Sequence, residues 1–488
     1  MQAPLTTRCI GPGLTVMLTA LGLLALGWGQ PAQKQIELPR LRVSENRRFL
    51  VTEGGKHFFW LGDTAWELFH RLSREEATLY LQNRAEKGFT VVQAVALSEL
   101  DGLTTPNRYG HLPLHDLDPL RPWVVPGPRN DYWDHVDTVI AEANRRGIRV
   151  ALLPTWGRYW HDPEGNGKPV FNPQNAEAFG NWIGARYRDR GIVWVLGGDR
   201  TVDNDVQRAT IRAMAKGLRE GDGGRHLITF HPRGGGSAFD QFRSDDWLDF
   251  GMRQNGHGAN FWSYQNTERD YAGQPVKPVL DGEPIYEGHP IEFNAPDQGY
   301  SLAIHVRRAT YWDLFLGAFG HTYGHHSVWQ MFSDVNGSVN QPIVKFPAAL
   351  DAPGAGQQQW ARRLLESRPF LTRVPDNSFI VANAVSSLVP GAGRYQFVGT
   401  RDQAGTYAMV YVPAGHPFEV RLGVIRAKTT RAWWYDPRTG KASSIGTFST
   451  SNPRRFESPN PGEELDWVLV LDDPGRGYPP PGSKVWPD

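Results

Sequence analysis

Ile192-Val193-Trp194-Val195-Leu196-Gly197-Gly198-Asp199-Arg200 is the stretch whose reading decides the fold. A short apolar run bounded by turn residues reads as a strand buried on both faces, as in a parallel sheet. Val and Trp favour a strand over a turn of helix. The glycine pair ends the strand and lets the backbone turn tightly. Asp199 therefore stands at the carboxyl end of a buried strand, where α/β barrels carry their chemistry. Taken alone, it serves equally as a helix cap or as a catalytic acid. A second stretch, Pro278-Val279-Leu280-Asp281-Gly282-Glu283-Pro284, repeats the design and ends on Glu283.

Outward from these two stretches, strands alternate with helices. Phe58-Phe59-Trp60-Leu61 predicts the first barrel strand, ending in Gly62-Asp63-Thr64-Ala65-Trp66. Ser73 and Glu76 make a capping box for the helix that follows. Thr90 to Val95, Arg149 to Leu153, Leu227 to Phe230, Asp249 to Arg253 and Val279 to Asp281 continue the pattern, and Gly317 to Trp329 holds the eighth unit. Alternation of this kind argues for a parallel sheet, and eight units from Phe58 to Trp329 fit a (β/α)8 TIM barrel of about 250 residues. No glycine-rich phosphate loop follows the first strand, which speaks against a dinucleotide-binding fold.

The remaining boundaries follow. Residues 1–29 read as a signal peptide: Arg8 precedes the apolar run Leu14 to Leu26, and Gly27-Trp28-Gly29 offers small residues for cleavage. The single cysteine, Cys9, lies in that segment, so the mature chain has no thiol chemistry. The chain is expected to be secreted or periplasmic, with no membrane contact after cleavage. Residues 30–57 form a lead-in β-hairpin, 58–366 the barrel, and 367–488 a C-terminal all-β sandwich read from period-two strands such as Tyr407 to Val412 and Asp466 to Leu471. One of the adjacent Trp433 and Trp434 must leave the sandwich core, and contact with the barrel is expected for it. The tail from Tyr478 through Gly482 reads as loose. A net charge of +1 gives no case for nucleic acid.

The chemistry lies at the strand ends, which carry Asp63 and Trp66, Gln93, Trp156, Asp199, His231, Gln254 and His257, Glu283, then His321, Tyr323, His325 and His326. Their convergence on one rim is the argument. Glycoside hydrolysis needs two carboxyls flanking one bond, and strands four and seven face each other across a barrel mouth. Glu283 is preferred over Glu287 because it stands nearer the strand end. The histidines sit among glycines rather than at helical metal-site spacing, so no metal and no cofactor are expected.

These motifs resemble a known family. Phe59 to Trp66, Gly88 to Gln93, Pro154-Thr155-Trp156-Gly157, Trp194 to Arg200, Gln254-Asn255-Gly256-His257, Glu283 to Glu287 and Gly320 to Trp329 are similar to the apiosidase-like glycoside hydrolases. The resemblance spans nearly the whole mature chain. It implies a barrel with a C-terminal sandwich of the collagen-binding type, and a retaining furanosidase acting on apiose-linked pectin side chains. It also implies Asp199 as acid/base and Glu283 as nucleophile.

On that reading Glu283 attacks the anomeric carbon and Asp199 protonates the leaving oxygen, with carboxyl oxygens about 5–5.5 Å apart. Asp199 needs a raised pKa, so Arg200 is expected to point away from it. Trp156, Tyr323 and Trp329 would wall the sugar, and Asp63, Trp66, Gln93, His231, Gln254, His257 and His326 would bind it. The alternatives are a glycosidase for an arabinofuranoside or galactofuranoside, or a non-catalytic polysaccharide- or collagen-binding protein.

Overall fold

The computed structural model describes residues 38–161, 169–258, 263–383 and 392–487. The expected signal peptide and Cys9 lie outside the described residues. Eight parallel strands make the central sheet: β1 (Trp60–Thr64), β2 (Val91–Val95), β3 (Arg149–Leu153), β4 (Ile192–Gly197), β5 (Ile228–His231), β6 (Gly251–Arg253), β7 (Val279–Asp281) and β8 (Gly320–Tyr323). They pair in the order β5-β4-β3-β2-β1-β8-β7-β6. The seam between β5 and β6 is bridged where Asp249 N donates to Ile228 O at 2.9 Å and Thr229 Oγ1 to Phe250 O at 2.7 Å. The sheet thus closes nearly to a TIM barrel. Every residue of these strands is buried, because side chains fill the barrel inside and helices cover it outside.

The helix layer comprises α1 (Arg74–Glu86), α2 (Tyr132–Arg145), α3 (Pro173–Tyr187), α4 (Asp205–Asp222), α5 (Ser263–Ala272), α6 (Ala303–Phe315) and α7 (Pro353–Glu366). The Ser73–Glu76 capping box opens α1, and the Asp131 side chain caps α2. Among the described residues no helix is long and apolar enough to cross a membrane.

The first barrel strand starts two residues later than the sequence pattern placed it. Phe58 pairs antiparallel with Leu50 in a three-stranded lead-in sheet (Leu41–Val43, Leu50–Thr52, His57–Phe58), and β1 takes up Asp63 and Thr64 instead. Asp63 consequently points into the helix layer. Arg84 Nε lies 2.6 Å from its Oδ2, and the Tyr80 hydroxyl donates to the same oxygen at 2.6 Å. Both charged side chains are fully buried. Burial pushes the Asp63 carboxyl up, against the pull of Arg84. Removing one partner of such a pair strands the other charge, so Arg84→Ala is expected to cost about 3–5 kcal/mol in urea unfolding. Asp63→Asn in the same background should recover part of that loss.

The C-terminal region forms two antiparallel sheets. One has six strands (Arg373–Pro375, Val398–Asp402, Tyr407–Val412, Trp467–Asp472, Thr429–Tyr435, Ala442–Ser449) and the other three (Ile380–Asn383, Phe418–Arg421, Pro453–Phe456). Period two divides the central strand between two cores. Tyr407, Met409 and Tyr411 join the barrel's apolar cluster, while Ala408, Val410 and Val412 face the second sheet. Trp433 likewise packs toward the barrel and Trp434 into the sandwich. Tyr411 stacks on Tyr311 of α6 at 4.9 Å and 9°, and Arg307 of α6 pairs with Asp466 at 2.6 Å.

The tail is docked, not loose. The Tyr478 hydroxyl meets Thr406 Oγ1 at 2.6 Å, its ring packs against Trp486 at 4.6 Å, and Trp486 N donates to Glu366 O at 2.7 Å. Two aromatic anchors outweigh the turn-forming prolines between them.

Candidate active site

At the carboxyl end of β4, Gly197 and Gly198 adopt φ of 93° and 102°. A Cβ at Gly198 would stand 2.7 Å from Gly157 N, so the strand can leave the barrel this way only without a side chain. The turn delivers Asp199 in the left-handed region, at φ 54°. Strain of this kind in a non-glycine residue gathers at functional sites. Asp199 N donates to His231 Nδ1 at 3.3 Å. That contact makes Nδ1 an acceptor and leaves Nε2 as the donor of the ring.

His231 Nε2 in turn lies 2.8 Å from Glu283 Oε2, and His257 Nε2 lies 3.1 Å from Oε1. One imidazole thus touches the backbone of one acid and the carboxylate of the other. Burial alone would push Glu283 up. The two imidazoles outweigh it and hold the carboxyl well below the ordinary glutamate value. The backbone is fixed as well: Gly256 N donates to Glu283 O at 3.2 Å, and Glu283 N donates to Asp281 Oδ1 at 3.2 Å. Asp281, inside the strand, has its buried partner in Asn255, whose Nδ2 donates at 2.6 Å.

Asp199 is shifted the other way. Burial and the nearby Glu283 charge raise it, against His231 and Arg200. Arg200 does not point away: its Nη1 lies 2.7 Å from Asp199 O and 3.1 Å from Oδ2. The left-handed turn at Asp199 folds the next side chain back over it, a geometry that sequence order does not reveal.

Both acids open into one cavity of about 780 Å3, within the range of small-molecule sites. Trp66, Trp156, Gln254, His257 and Trp329 line it with them. His231 sits just behind, between the two acids. His231 is fully buried and is not on the cavity wall, so it holds Glu283 rather than a sugar, and four other expected sugar contacts lie elsewhere. Asp63 faces the helices, as described. Gln93 fills the barrel interior, where its Nε2 donates to Gly282 O at 2.8 Å and to Thr64 Oγ1 at 3.3 Å. Tyr323 donates to Glu287 Oε2 at 2.7 Å. His326 Nε2 contacts Asn340 O at 2.9 Å, behind the His289 ring. Each side chain meets protein before it reaches the mouth: Asp63 and Tyr323 lie within their strands, Gln93 is met by Thr64 and Gly282 from the neighbouring strand ends, and His326 opens a short helix, His326–Trp329.

Glu287 also turns inward, accepting from Tyr323 and from Gly354 N at 3.0 Å at the start of α7. The histidines in and just after β8 diverge. His321 Nδ1 pairs with Asp313 at 2.9 Å and His325 Nδ1 accepts from Ser327 N at 3.1 Å. Among the described residues no group of three or more His, Cys, Asp or Glu could hold a metal ion.

Sequence reasoning missed Glu99, Tyr286, His289 and Phe293, all on the cavity wall. His289 stacks on His257 at 4.2 Å and thereby fixes the ring that holds Glu283. Phe293 is 62% exposed at the rim, carried by two consecutive left-handed residues, Glu292 and Phe293. No local pattern marks such a turn. Only the aromatic in a loop punctuated by Pro290 and Pro296 was there to notice.

A family profile described as "Apiosidase-like, catalytic domain" matches residues 44–372. A second, described as "Putative collagen-binding domain of a collagenase", matches 374–472. Among solved structures, one titled "Glycoside hydrolase" is 33% identical with a TM-score of 0.81, covering 90% of this chain and 97% of its own. A glycoside hydrolase family 5 protein from Bacteroides vulgatus ATCC 8482 is 32% identical with a TM-score of 0.83, covering 92% and 98%. No curated protein matches.

Proposed function

The chain belongs to the apiosidase-like glycoside hydrolases, and on that premise we propose that it is an exported, retaining furanosidase that removes apiose-type sugars from pectin side chains. The observation that carries the reading is a pair of carboxyls on one cavity, pushed in opposite directions. Glu283 is held ionised by two imidazoles and Asp199 is raised toward its protonated form. Acid and nucleophile assignments follow from environments that separate two pKa values in this way.

In the first half of the reaction a Glu283 oxygen forms a bond to the anomeric carbon. The bond to the leaving oxygen breaks, and the Asp199 proton passes to that oxygen. In the second half the Asp199 carboxylate takes a proton from water, whose oxygen attacks the anomeric carbon. The bond to Glu283 breaks, and both acids return to their starting forms. Trp66, Trp156 and Trp329 offer faces for the C–H groups of a sugar ring. Export is supported by the Arg8 and Leu14 to Leu26 pattern.

The test is hydrolysis of pectic oligosaccharides and aryl furanosides, with the product anomer followed by NMR from the first turnover. Release of apiose with the starting configuration is expected. Release of arabinose or galactose instead would discard the substrate and keep the mechanism. An inverted first product would discard the covalent route.

A further inference from the structure

We propose that Glu99 is a substrate-binding residue of the leaving-group side, its carboxyl hydrogen-bonding a hydroxyl of the departing sugar. This rests on the glycosidase chemistry proposed above and adds to it a third carboxyl with a different task.

The segment that carries Glu99 follows β2 and is pinned on both sides. The Tyr132 hydroxyl donates to Ala96 O at 2.6 Å, Trp156 N to Leu97 O at 3.2 Å, and the Tyr159 hydroxyl to Ser98 O at 2.8 Å. Beyond it, Leu100 N donates to Glu67 Oε1 at 3.0 Å. Arg158 Nη1 approaches the Glu99 carbonyl at 3.5 Å, not its carboxyl. The backbone is thus fixed at Ala96, Leu97, Ser98 and Leu100, and the side chain between them lines the cavity shared by Asp199 and Glu283. Its carboxyl has no hydrogen bond or ion pair among the described residues. A polar group that is partly buried, held in place and left without a protein partner calls for a ligand. A cavity built for sugars supplies hydroxyls.

The charged groups around it are Glu67 before α1, Asp199 and Arg200 after β4, Glu283 after β7, and Arg158. Burial, then the charges of Glu67 and Asp199, push the Glu99 carboxyl up to about 8, against Arg200. A neutral carboxyl there can both donate and accept without adding a third charge beside the two reacting acids. The turn after β3 joins this segment to the acid/base: Trp156 N donates to Leu97 O, and the next residue, Gly157, donates its N–H to Gly198 O at 3.1 Å, immediately before Asp199. That places Glu99 on the side of the acid/base, where the leaving group departs.

The experiment compares wild type, Glu99→Gln and Glu99→Ala on two substrates of the same glycone: the oligosaccharide the wild type cleaves, and an aryl glycoside whose leaving group carries no hydroxyl. Glu99→Ala is expected to raise KM for the oligosaccharide about tenfold, the worth of one good hydrogen bond, and to leave the aryl glycoside unchanged. Glu99→Gln keeps a donor and an acceptor and should behave as wild type well below pH 8. Above that pH the wild-type KM for the oligosaccharide should rise while the Gln variant stays flat. Equal losses on both substrates would mark a structural role and overturn the proposal, as would no loss on either. A Gln variant as poor as Ala at low pH would overturn it too. A wild type that cleaves no glycoside overturns the parent reading instead, and this proposal with it.

Discussion

Changing Glu283 to Ala is expected to lower kcat for glycoside hydrolysis by about 10,000-fold or more, the scale on which a covalent nucleophile is missed. The argument lies in what surrounds the carboxyl. The Nε2 atoms of His231 and His257 stand 2.8 and 3.1 Å from its two oxygens, and the backbone is fixed by Asp281 and Gly256. The site is arranged around a negative charge at that point, so Glu283→Gln should be nearly as inactive although it fills the same space. Added azide should restore turnover to the Ala variant with an aryl substrate and give a glycosyl azide of inverted configuration. Glu287→Gln is the contrast. Its carboxyl holds Tyr323 and the first turn of α7, so it should lower stability by about 1–3 kcal/mol and leave kcat largely intact. If Glu287→Gln abolished hydrolysis and Glu283→Ala did not, the two roles would have to be exchanged.

The barrel and the strand-end positions of Asp199 and Glu283 were legible because each rests on a local device. A short apolar run, one or two glycines and then an acid is a complete statement of strand, turn and strand-end group, and β4 and β7 both make it. Asp63 was misread for a related reason. A strand's length depends on what it pairs with. The antiparallel pairing of Phe58 with Leu50 shifts β1 forward until Asp63 lies inside it, facing Arg84. Glu99 was illegible because the groups that aim it, Glu67, Tyr132 and Tyr159, come from three separate segments. The orientation of Arg200 depends on a left-handed residue that is not glycine, an arrangement that propensity argues against. The tail was taken as loose from its prolines, yet its place is set by Tyr478 and Trp486 contacting residues far away in sequence.

Changing Asp199 to Ala should produce a loss that depends on the leaving group. A sugar alkoxide cannot depart unprotonated, so oligosaccharide hydrolysis is expected to fall by about 100- to 10,000-fold, the range of general acid catalysis. An aryl glycoside with an acidic phenol needs no proton to leave. Its first step should survive, giving a burst of phenol equal to the enzyme present. Release of the covalent intermediate then becomes slow, because no base remains to take the proton from water, and azide should accelerate it. The wild-type pH profile follows from the same two groups. Glu283 must be ionised, and its carboxyl sits below the ordinary glutamate value, so activity is lost at the acid end only as the pH falls through that depressed pKa. Asp199 must be protonated, and its carboxyl sits above the ordinary aspartate value, so activity falls as the pH rises through that raised pKa. For an alkyl glycoside, whose leaving oxygen needs the proton but whose leaving group carries no further hydroxyl for Glu99, this alkaline fall in wild-type kcat/KM should be absent from the residual activity of Asp199→Ala. If it remained at the same pH, another group would be the acid, and the raised carboxyl of Asp199 would owe its position to structure alone.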